Sequence, residues 1–177
     1  MTTKEIAVQA NLTAAAHELL HDDTTSSVFL EALEKAALFE DAVHFLANKL
    51  SPENGVKWGL ECIRDLQAPE KKDAKNPSLD ACDAWVKAPG DTTRWAAREA
   101  ADRSRDSNPA DLLAFAVFFS GGSVTPPGAP ETHPPPGTGQ RFVGACVHVT
   151  VVVYQPENSV ERHKRALMLG RLYDTGV

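Results

Sequence analysis

One segment in the second half of the chain carries apolar side chains on every side and most constrains the fold. It runs from Asn108 to Phe119 (NPADLLAFAVFF) and leads into a Ser-Gly-Gly turn at 120–122. Asparagine followed by proline is a common helix start, and glycine readily ends a helix. A helix that is apolar all round is usually central in its fold. The segment therefore predicts a domain in which other helices surround this one.

The residues after this helix form a proline-rich segment. Six of the 12 prolines in the chain lie between Pro126 and Pro136. Proline favours extended backbone and interrupts both helices and strands, so we predict one long surface loop over 123–139. A stiff, exposed loop loses little conformational entropy on binding and can act as a recognition element. A simple spacer between two helices is the alternative interpretation.

Elsewhere, apolar residues recur at the spacing of amphipathic helices. A first helix is predicted from Lys4 to His21, and others begin near Val28, Asp41 and Pro52. The Ser-Pro pair that precedes the last of these is a strong helix start, with serine as the N-cap and proline in the first turn. The glycines that follow allow a neighbouring helix to approach closely.

Two later helices carry predictions about which side faces inward. The polar helix after Gly90 is expected to turn Trp95, Ala96 and Ala100 inward. The last helix, up to Tyr173, is expected to bury Val160 and Leu172 among its apolar residues. Its basic side, at 162–165, is expected to face solvent, with an acidic partner as the alternative.

The segment RFVGACVHVTVVVY, at 141–154, is ambiguous between helix and strand. Its valines and threonine favour a strand. However, no second strand pattern is available to pair with it, and an unpaired strand leaves its backbone groups unsatisfied. We therefore predict a buried helix, with a strand as the alternative. The apolar run is too short to span a bilayer and contains His148.

Composition fits one globular domain. The chain has 177 residues, of which 42% are hydrophobic and 24% charged, which is enough to bury a core without staples. We predict an all-α fold, a single-domain orthogonal bundle of about eight or nine short helices with one long proline-rich surface loop. The domain spans residues 1–177, with an N-terminal helix and linker at 1–24.

Charge and cysteine content bear on partners and compartment. The formal net charge of −6 argues against nucleic-acid binding, which needs a basic face. The start of the chain has no apolar run behind basic residues, so no secretory signal is expected. The three cysteines, Cys62, Cys82 and Cys146, lie in apolar surroundings and are interpreted as reduced core residues. We expect a cytoplasmic protein with no cofactor and no membrane contact.

One motif suggests catalysis. The run HELLH places His17 and His21 four residues apart with Glu18 between them, and Glu40 lies further along the chain. On a helix, two such histidines face the same way and can bind zinc, with Glu18 as the base and Glu40 as a third ligand. The preceding residues show no strand on which a peptidase would align its substrate. We interpret the motif as an accidental match, and a zinc-dependent hydrolase remains the alternative.

A series of short motifs in fixed order extends over about Val28 to Gly176. They are Asp41–Val43, Phe45–Ala47, Leu50, Val56–Cys62, Trp85–Val86, Pro89, Arg94, Ala96–Ala97, Ala100–Ala101, Pro109–Ala110, Phe118–Ser123, Pro126–Pro127, Pro134–Pro136 and Leu169–Gly170. This order resembles a family of uncharacterised bacterial proteins, a domain of unknown function. The resemblance implies a helical bacterial protein with no assigned activity, whose relatives often accompany type VI secretion genes. HExxH is not part of the pattern, and the valine-rich run at 142–154 departs from it.

The sequence contains no credible catalytic set, and we predict a non-enzymatic protein that binds another protein. It would serve as an adaptor, a chaperone-like or an accessory protein, in a type VI secretion system if the resemblance extends that far. A structural, homo-oligomeric subunit is a further alternative. The residues predicted to contact the partner are Trp85, Arg94, Gly121, Gly122, Pro126, Pro127, Pro134, Pro135 and Pro136.

Overall fold

The computed structural model describes residues 1–67, 75–104, 108–126 and 128–175. Within these ranges the chain forms ten α-helices and no β-strand, so the predicted all-α class is confirmed. The helices are α1 (Thr3–Ala10), α2 (Ala14–Glu18), α3 (Ser26–Lys35), α4 (Phe39–Lys49), α5 (Pro52–Leu66), α6 (Pro77–Lys87), α7 (Asp91–Arg103), α8 (Pro109–Phe118), α9 (Thr138–Tyr154) and α10 (Ser159–Arg171). A 3-10 turn at Pro156–Asn158 precedes α10.

Two helices occupy the centre of the bundle. α8, the apolar helix, packs against α5, α6, α7 and α9, as its sequence predicts. α9 packs against α4, α5, α8 and α10. The valine-rich segment is therefore a buried helix rather than a strand. Inside it, the Thr150 hydroxyl donates a hydrogen bond to the Cys146 carbonyl at 2.7 Å, so its one buried hydroxyl is satisfied without a strand partner.

Small residues set how closely the helices approach. Gly59 on α5 faces α8, and a Cβ there would lie 2.5 Å from Leu113 Cδ1, which confirms the predicted close approach. Gly170 on α10 lies against the buried indole of Trp58, where a Cβ would lie 2.7 Å from Trp58 Cε2. The indole Nε1 donates to the Ala166 carbonyl at 2.8 Å. The contact between α5 and α10 therefore has no room for a larger side chain.

The N-terminal segment differs from prediction. A single helix from Lys4 to His21 is wrong, because Asn11 adopts a left-handed conformation with φ of 55° and separates α1 from α2. Asparagine is one of the few residues that tolerate this region. Thr13, which caps α2, donates from both its backbone N and its hydroxyl to Asp41 on α4, at 2.8 Å each. This buried carboxylate holds the break between α1 and α2 against the bundle.

Two predicted inward faces are also wrong. On α7 the buried residues are Arg94, Ala97 and Ala101, whereas Ala96 is exposed and Trp95 only half-buried. On α10, Val160 is exposed, as is Leu172 directly after the helix, and His163, which lies on the predicted solvent side, is buried. In both cases the inward face includes a polar residue that pattern reasoning places outside.

The three cysteines are buried and free, as predicted. Burial raises the pKa of the Cys62 and Cys82 thiols well above the ordinary value. For Cys146 desolvation raises the pKa to about 12, and the neighbouring Thr150 hydroxyl opposes the shift. All three therefore remain protonated core residues near neutral pH. In the described parts of the chain, no helix is long and apolar enough to cross a membrane.

Candidate functional site

The proline-rich loop joins α8 to α9 and runs along the surface. Most of the predicted partner-contact residues lie on it. Gly121, Gly122, Pro126, Pro135 and Pro136 are exposed, and Pro134 is half-buried. Pro127 lies outside the described residues.

Arg94 is buried, only 4% exposed, and holds the start of the loop in place. Its Nη1 donates to the carbonyl of Phe118, the last residue of α8, and its Nη2 donates to the carbonyl of Ser123, both at 2.7 Å. The first of these carbonyls has no partner within the helix, and a cation at a helix C-terminus is favourable. Asp91 balances the charge, with its Oδ1 3.0 Å from Arg94 Nη2. We call this arrangement the arginine clamp.

The prediction that Arg94 and Trp85 contact a partner is corrected by their burial. The Arg94 guanidinium donates its hydrogen bonds to the loop and to Asp91, so its role is to position the loop. Trp85 is 7% exposed and packs in the core. Neither side chain presents a surface to a second protein. The error arises because sequence alone does not show that this arginine is buried, and arginine is rarely buried.

The Gly-Gly turn needs its second glycine. Gly122 has φ of +67°, in the left-handed region where a side chain is strained. A Cβ there would also lie 2.8 Å from Arg94 Nη2 and 3.0 Å from Asp91 Oδ1. At Gly121, φ is not positive, and a Cβ would meet no atom within 4 Å. The two glycines thus have different roles: Gly122 makes room for the clamp, and Gly121 is an open surface position.

Aromatic rings pack against one another where the loop starts. Phe118 stacks edge-on against Trp95 and Phe119, with ring centroids 5.0 Å apart in both pairs. Phe119 stacks in turn on Phe142 of α9, at 5.3 Å. The Arg94 guanidinium lies 5.2 Å from the centre of the Phe118 ring, within range of a cation–π interaction. The loop therefore starts from a rigid platform shared by α7, α8 and α9.

Ser123 organises the exposed part of the loop. Its Oγ accepts hydrogen bonds from the backbone N–H groups of Thr125 at 3.2 Å and Thr132 at 3.1 Å. The Thr125 hydroxyl donates to the Pro130 carbonyl at 2.7 Å, so Ser123 Oγ, 2.7 Å from it, is the donor in that pair. The Val124 N–H donates to the Thr132 carbonyl at 2.8 Å. The Ser123 hydroxyl and the Val124 backbone thus join the start of the loop to Thr125 and Thr132.

The far end of the loop is attached to α1. Arg141 Nη1 donates to the carbonyls of Gln9 at 3.3 Å and Pro136 at 3.4 Å. Gly137, with φ of +77°, lets the backbone pass the Gln9 side chain, which a Cβ would overlap. Between α1 and the loop lies a groove of about 700 Å³, lined in part by Val8, which is 72% exposed. We call it the α1 groove.

The HELLH residues are not arranged as the zinc hypothesis requires. α2 ends at Glu18, so His17 lies on the helix and His21 beyond it, and the two do not share a helical face. Both histidines are exposed, and Glu40 on α4 faces His148 Nε2 instead, 4.0 Å away. No group of three His, Cys, Asp or Glu side chains in the described ranges is placed to hold a metal ion.

The glycines and prolines of the loop could be predicted from sequence, whereas the roles of Ser123, Arg141 and Gln9 could not. Serine after a Gly-Gly turn is a weak signal for a network that closes nine residues later, at Thr132. The contact between Gln9 and Arg141 spans 132 residues of sequence, so no local pattern indicates it. Both contacts become visible only in the folded chain.

Replacing Ser123 with alanine should loosen the loop and leave the bundle intact. The substitution removes the acceptor of two backbone N–H groups, each hydrogen bond being worth about 1 kcal/mol. We expect amide hydrogen exchange at Thr125 and Thr132 to rise about tenfold, while the free energy of unfolding falls by no more than about 2 kcal/mol. Ser120→Ala is the control, since that hydroxyl bonds only to Val117 O at 2.7 Å, outside the loop. Equal exchange in wild type and Ser123→Ala would show that the network does not order the loop.

Comparison with known proteins places most of the chain in a family. A family model described as a family of unknown function, DUF6931, matches residues 29–172. The chain belongs to the DUF6931 family. Neither a search of curated proteins nor a search of solved structures found a match to the chain. The DUF6931 match includes the arginine clamp, the loop and Arg141, whereas α1 and α2 precede it.

Proposed function

We propose that this DUF6931 protein is a non-enzymatic, protein-binding adaptor, chaperone-like or accessory protein. Its contact surface is the exposed part of the proline-rich loop together with the α1 groove. The observation that carries the proposal is an exposed loop bonded to a buried arginine at one end and to Arg141 at the other. Surface loops positioned by a rigid scaffold are the usual carriers of binding function.

The energetics of such a loop favour binding. Each proline fixes one backbone angle, and Ser123 bonds to the backbone of Thr125 and Thr132. A partner therefore need not order the loop, which removes part of the entropic cost of association. Next to Pro136, the α1 groove offers a concave surface with an apolar side chain, Val8, exposed in it. Prolines and a groove together suit an extended segment of a partner protein.

The cellular setting that we propose is a bacterial type VI secretion system. Support comes from the resemblance described above, because members of the family that the chain resembles often accompany genes of that system. In this setting the partner would be a secreted protein or a component of the secretion apparatus. A formal net charge of −6 suits a protein partner better than nucleic acid, which needs a basic face.

Replacing Pro134, Pro135 and Pro136 together with alanine should weaken partner binding about tenfold without unfolding the domain. Each proline-to-alanine change returns about 0.4–1 kcal/mol of backbone freedom to the unbound loop, and binding must then remove it. The measurement is an affinity pull-down from the native host, with mass spectrometry of the recovered proteins. Binding constants are then measured for the partner that is recovered.

Pro156→Ala is the matched control, because this exposed proline lies in the 3-10 turn before α10, outside the loop. A partner recovered with wild type and Pro156→Ala but lost from the triple variant would support the proposal. Equal recovery with the triple variant would remove the loop from the binding surface. If no partner is recovered reproducibly and light scattering shows self-association, a structural homo-oligomer is favoured instead.

A further inference from the structure

Two histidines meet where α4, α9 and α10 pack together. His163 of α10 is buried, and its Nε2 lies 3.3 Å from Nδ1 of His148 on α9. The other nitrogen of His163, Nδ1, lies 2.8 Å from the Ser159 carbonyl. Phe39 of α4 stacks on the His163 ring, with centroids 5.8 Å apart. The pair therefore links three helices at a site that the clamp and the loop do not involve.

The hydrogen bonds fix where the protons lie. A carbonyl only accepts, so His163 Nδ1 carries a hydrogen and, in the neutral ring, Nε2 is an acceptor. His148 Nδ1 must then donate to it. The remaining nitrogen, His148 Nε2, faces the carboxylate of Glu40 at 4.0 Å. A proton added to His163 Nε2 would face the N–H of His148 and break the bond between the rings.

The surroundings also oppose a charge on His163. Burial is the main cause that lowers the His163 pKa below the ordinary value of 6.5, and the charge of His148 adds to the shift. The hydrogen bond to Ser159 and the charge of Glu40 act in the opposite direction. His44 of α4 is a third histidine nearby, and burial lowers its pKa as well. Protonation of these histidines at acidic pH would place several positive charges at one helix junction.

The charged groups on neighbouring elements do not reverse the lowering of the His163 pKa. From α4, Glu40 and Asp41 act on the histidines, and Asp41 is bonded to Thr13. From α5, Asp65 pairs with Arg165 on another side of α10. In the 3-10 turn, Glu157 acts on Arg162 rather than on His163. Of these carboxylates, Glu40 is the one that faces the histidine pair.

We propose that His148 and His163 form an acid-sensitive latch that holds α10 against α4 and α9 and releases it when a second proton enters the pair. The latch goes beyond the proposed partner binding and does not depend on it. The direction follows from the lowered pKa of His163, since the unfolded or detached state binds the proton more readily than the folded state. The stabilising contribution is complete above about pH 6.5 and is lost as the pH falls below that value.

Amide hydrogen exchange on the full chain tests the latch. Exchange is followed at about pH 7.5 and about pH 5.5 and corrected for the intrinsic pH dependence of the exchange reaction. For one coupled proton, the opening equilibrium of α10 should increase by up to about tenfold per pH unit. Amides of α8, which packs against α5, α6, α7 and α9, should respond less. An equal response of α8 and α10 would overturn the proposal, because acid would then act on the whole fold.

Two variants and one titration separate the latch from general acid effects. His163→Gln removes the buried imidazole whose protonation is coupled to opening, and it should flatten the response of α10 to less than about threefold over the same range. His133→Gln is the control, since His133 is exposed on the proline-rich loop, and it should leave the response unchanged. An unchanged response in His163→Gln would overturn the proposal. NMR titration of the wild type needs no variant: His163 must titrate below the ordinary histidine range, and a normal titration would also overturn the latch.

Discussion

Replacing Arg94 with methionine should lower the free energy of unfolding by about 3–5 kcal/mol. The substitution keeps most of the side-chain volume and removes the buried donors to Phe118 O and Ser123 O. A buried hydrogen bond from a charged donor is worth about 1.5–3 kcal/mol, and both carbonyls would lose their guanidinium partner. Urea denaturation followed by circular dichroism measures the change. Arg94→Lys should recover only part of the loss, since an ammonium cannot span both carbonyls with the geometry of a guanidinium.

Arg98→Met is the matched control for this experiment. Arg98 lies one turn further along α7, is partly exposed and pairs with Asp102, and its guanidinium lies 4.8 Å from the centre of the Phe118 ring. A partly exposed ion pair of this kind contributes about 0–1 kcal/mol. If Arg94→Met cost no more than Arg98→Met, the clamp would not be an important source of stability.

Gly170→Val should lower the free energy of unfolding by about 2–3 kcal/mol, because two extra methyl groups and a Cβ must fit against rigid neighbours. The Cβ alone would lie 2.7 Å from Trp58 Cε2 and from Leu46 Cδ2. The indole cannot move away easily, since it is fully buried and bonded to the Ala166 carbonyl. The higher helix propensity of valine offsets only a few tenths of a kcal/mol. Thermal and urea unfolding measure the loss.

Gly121→Val makes the same chemical change at an open position. A Cβ there meets no atom within 4 Å, so the free energy of unfolding should stay within about 0.5 kcal/mol of wild type. A large loss at Gly121, or a small one at Gly170, would contradict the packing described between α5 and α10.

Elements with strong local signals were predicted well from sequence. The Ser51-Pro52 start of α5 and the Asn108-Pro109 start of α8 lie where their capping residues indicate, with Ser51 and Asn108 as the N-caps. These signals are local because a cap bonds to backbone two or three residues away. The helical conformation of the valine-rich segment was also predicted, for a different reason. A single strand has no partner in an otherwise helical chain, so burial in a bundle outweighs its strand propensity.

Features that depend on distant contacts could not be predicted. The break at Asn11 is held by Asp41, 28 residues beyond Thr13, and the burial of Arg94 depends on carbonyls 24 and 29 residues away. The opposite error occurs with HELLH, where a local motif exists without the continuous helix that would give it meaning. For the candidate site, composition located the loop, and only the folded chain shows what fixes its shape.

The two ends of the proline-rich loop are anchored to parts of the chain with different relationships to the family. The Arg94 anchor lies inside the residues that the DUF6931 family match covers, whereas Gln9 and Val8 of the α1 groove precede them. A fragment that began at Phe29 would keep the arginine clamp but lose one wall of the groove and an anchor of the loop. Binding studies with such a fragment would therefore test only part of the proposed contact surface, and a partner that binds in the groove would not be detected.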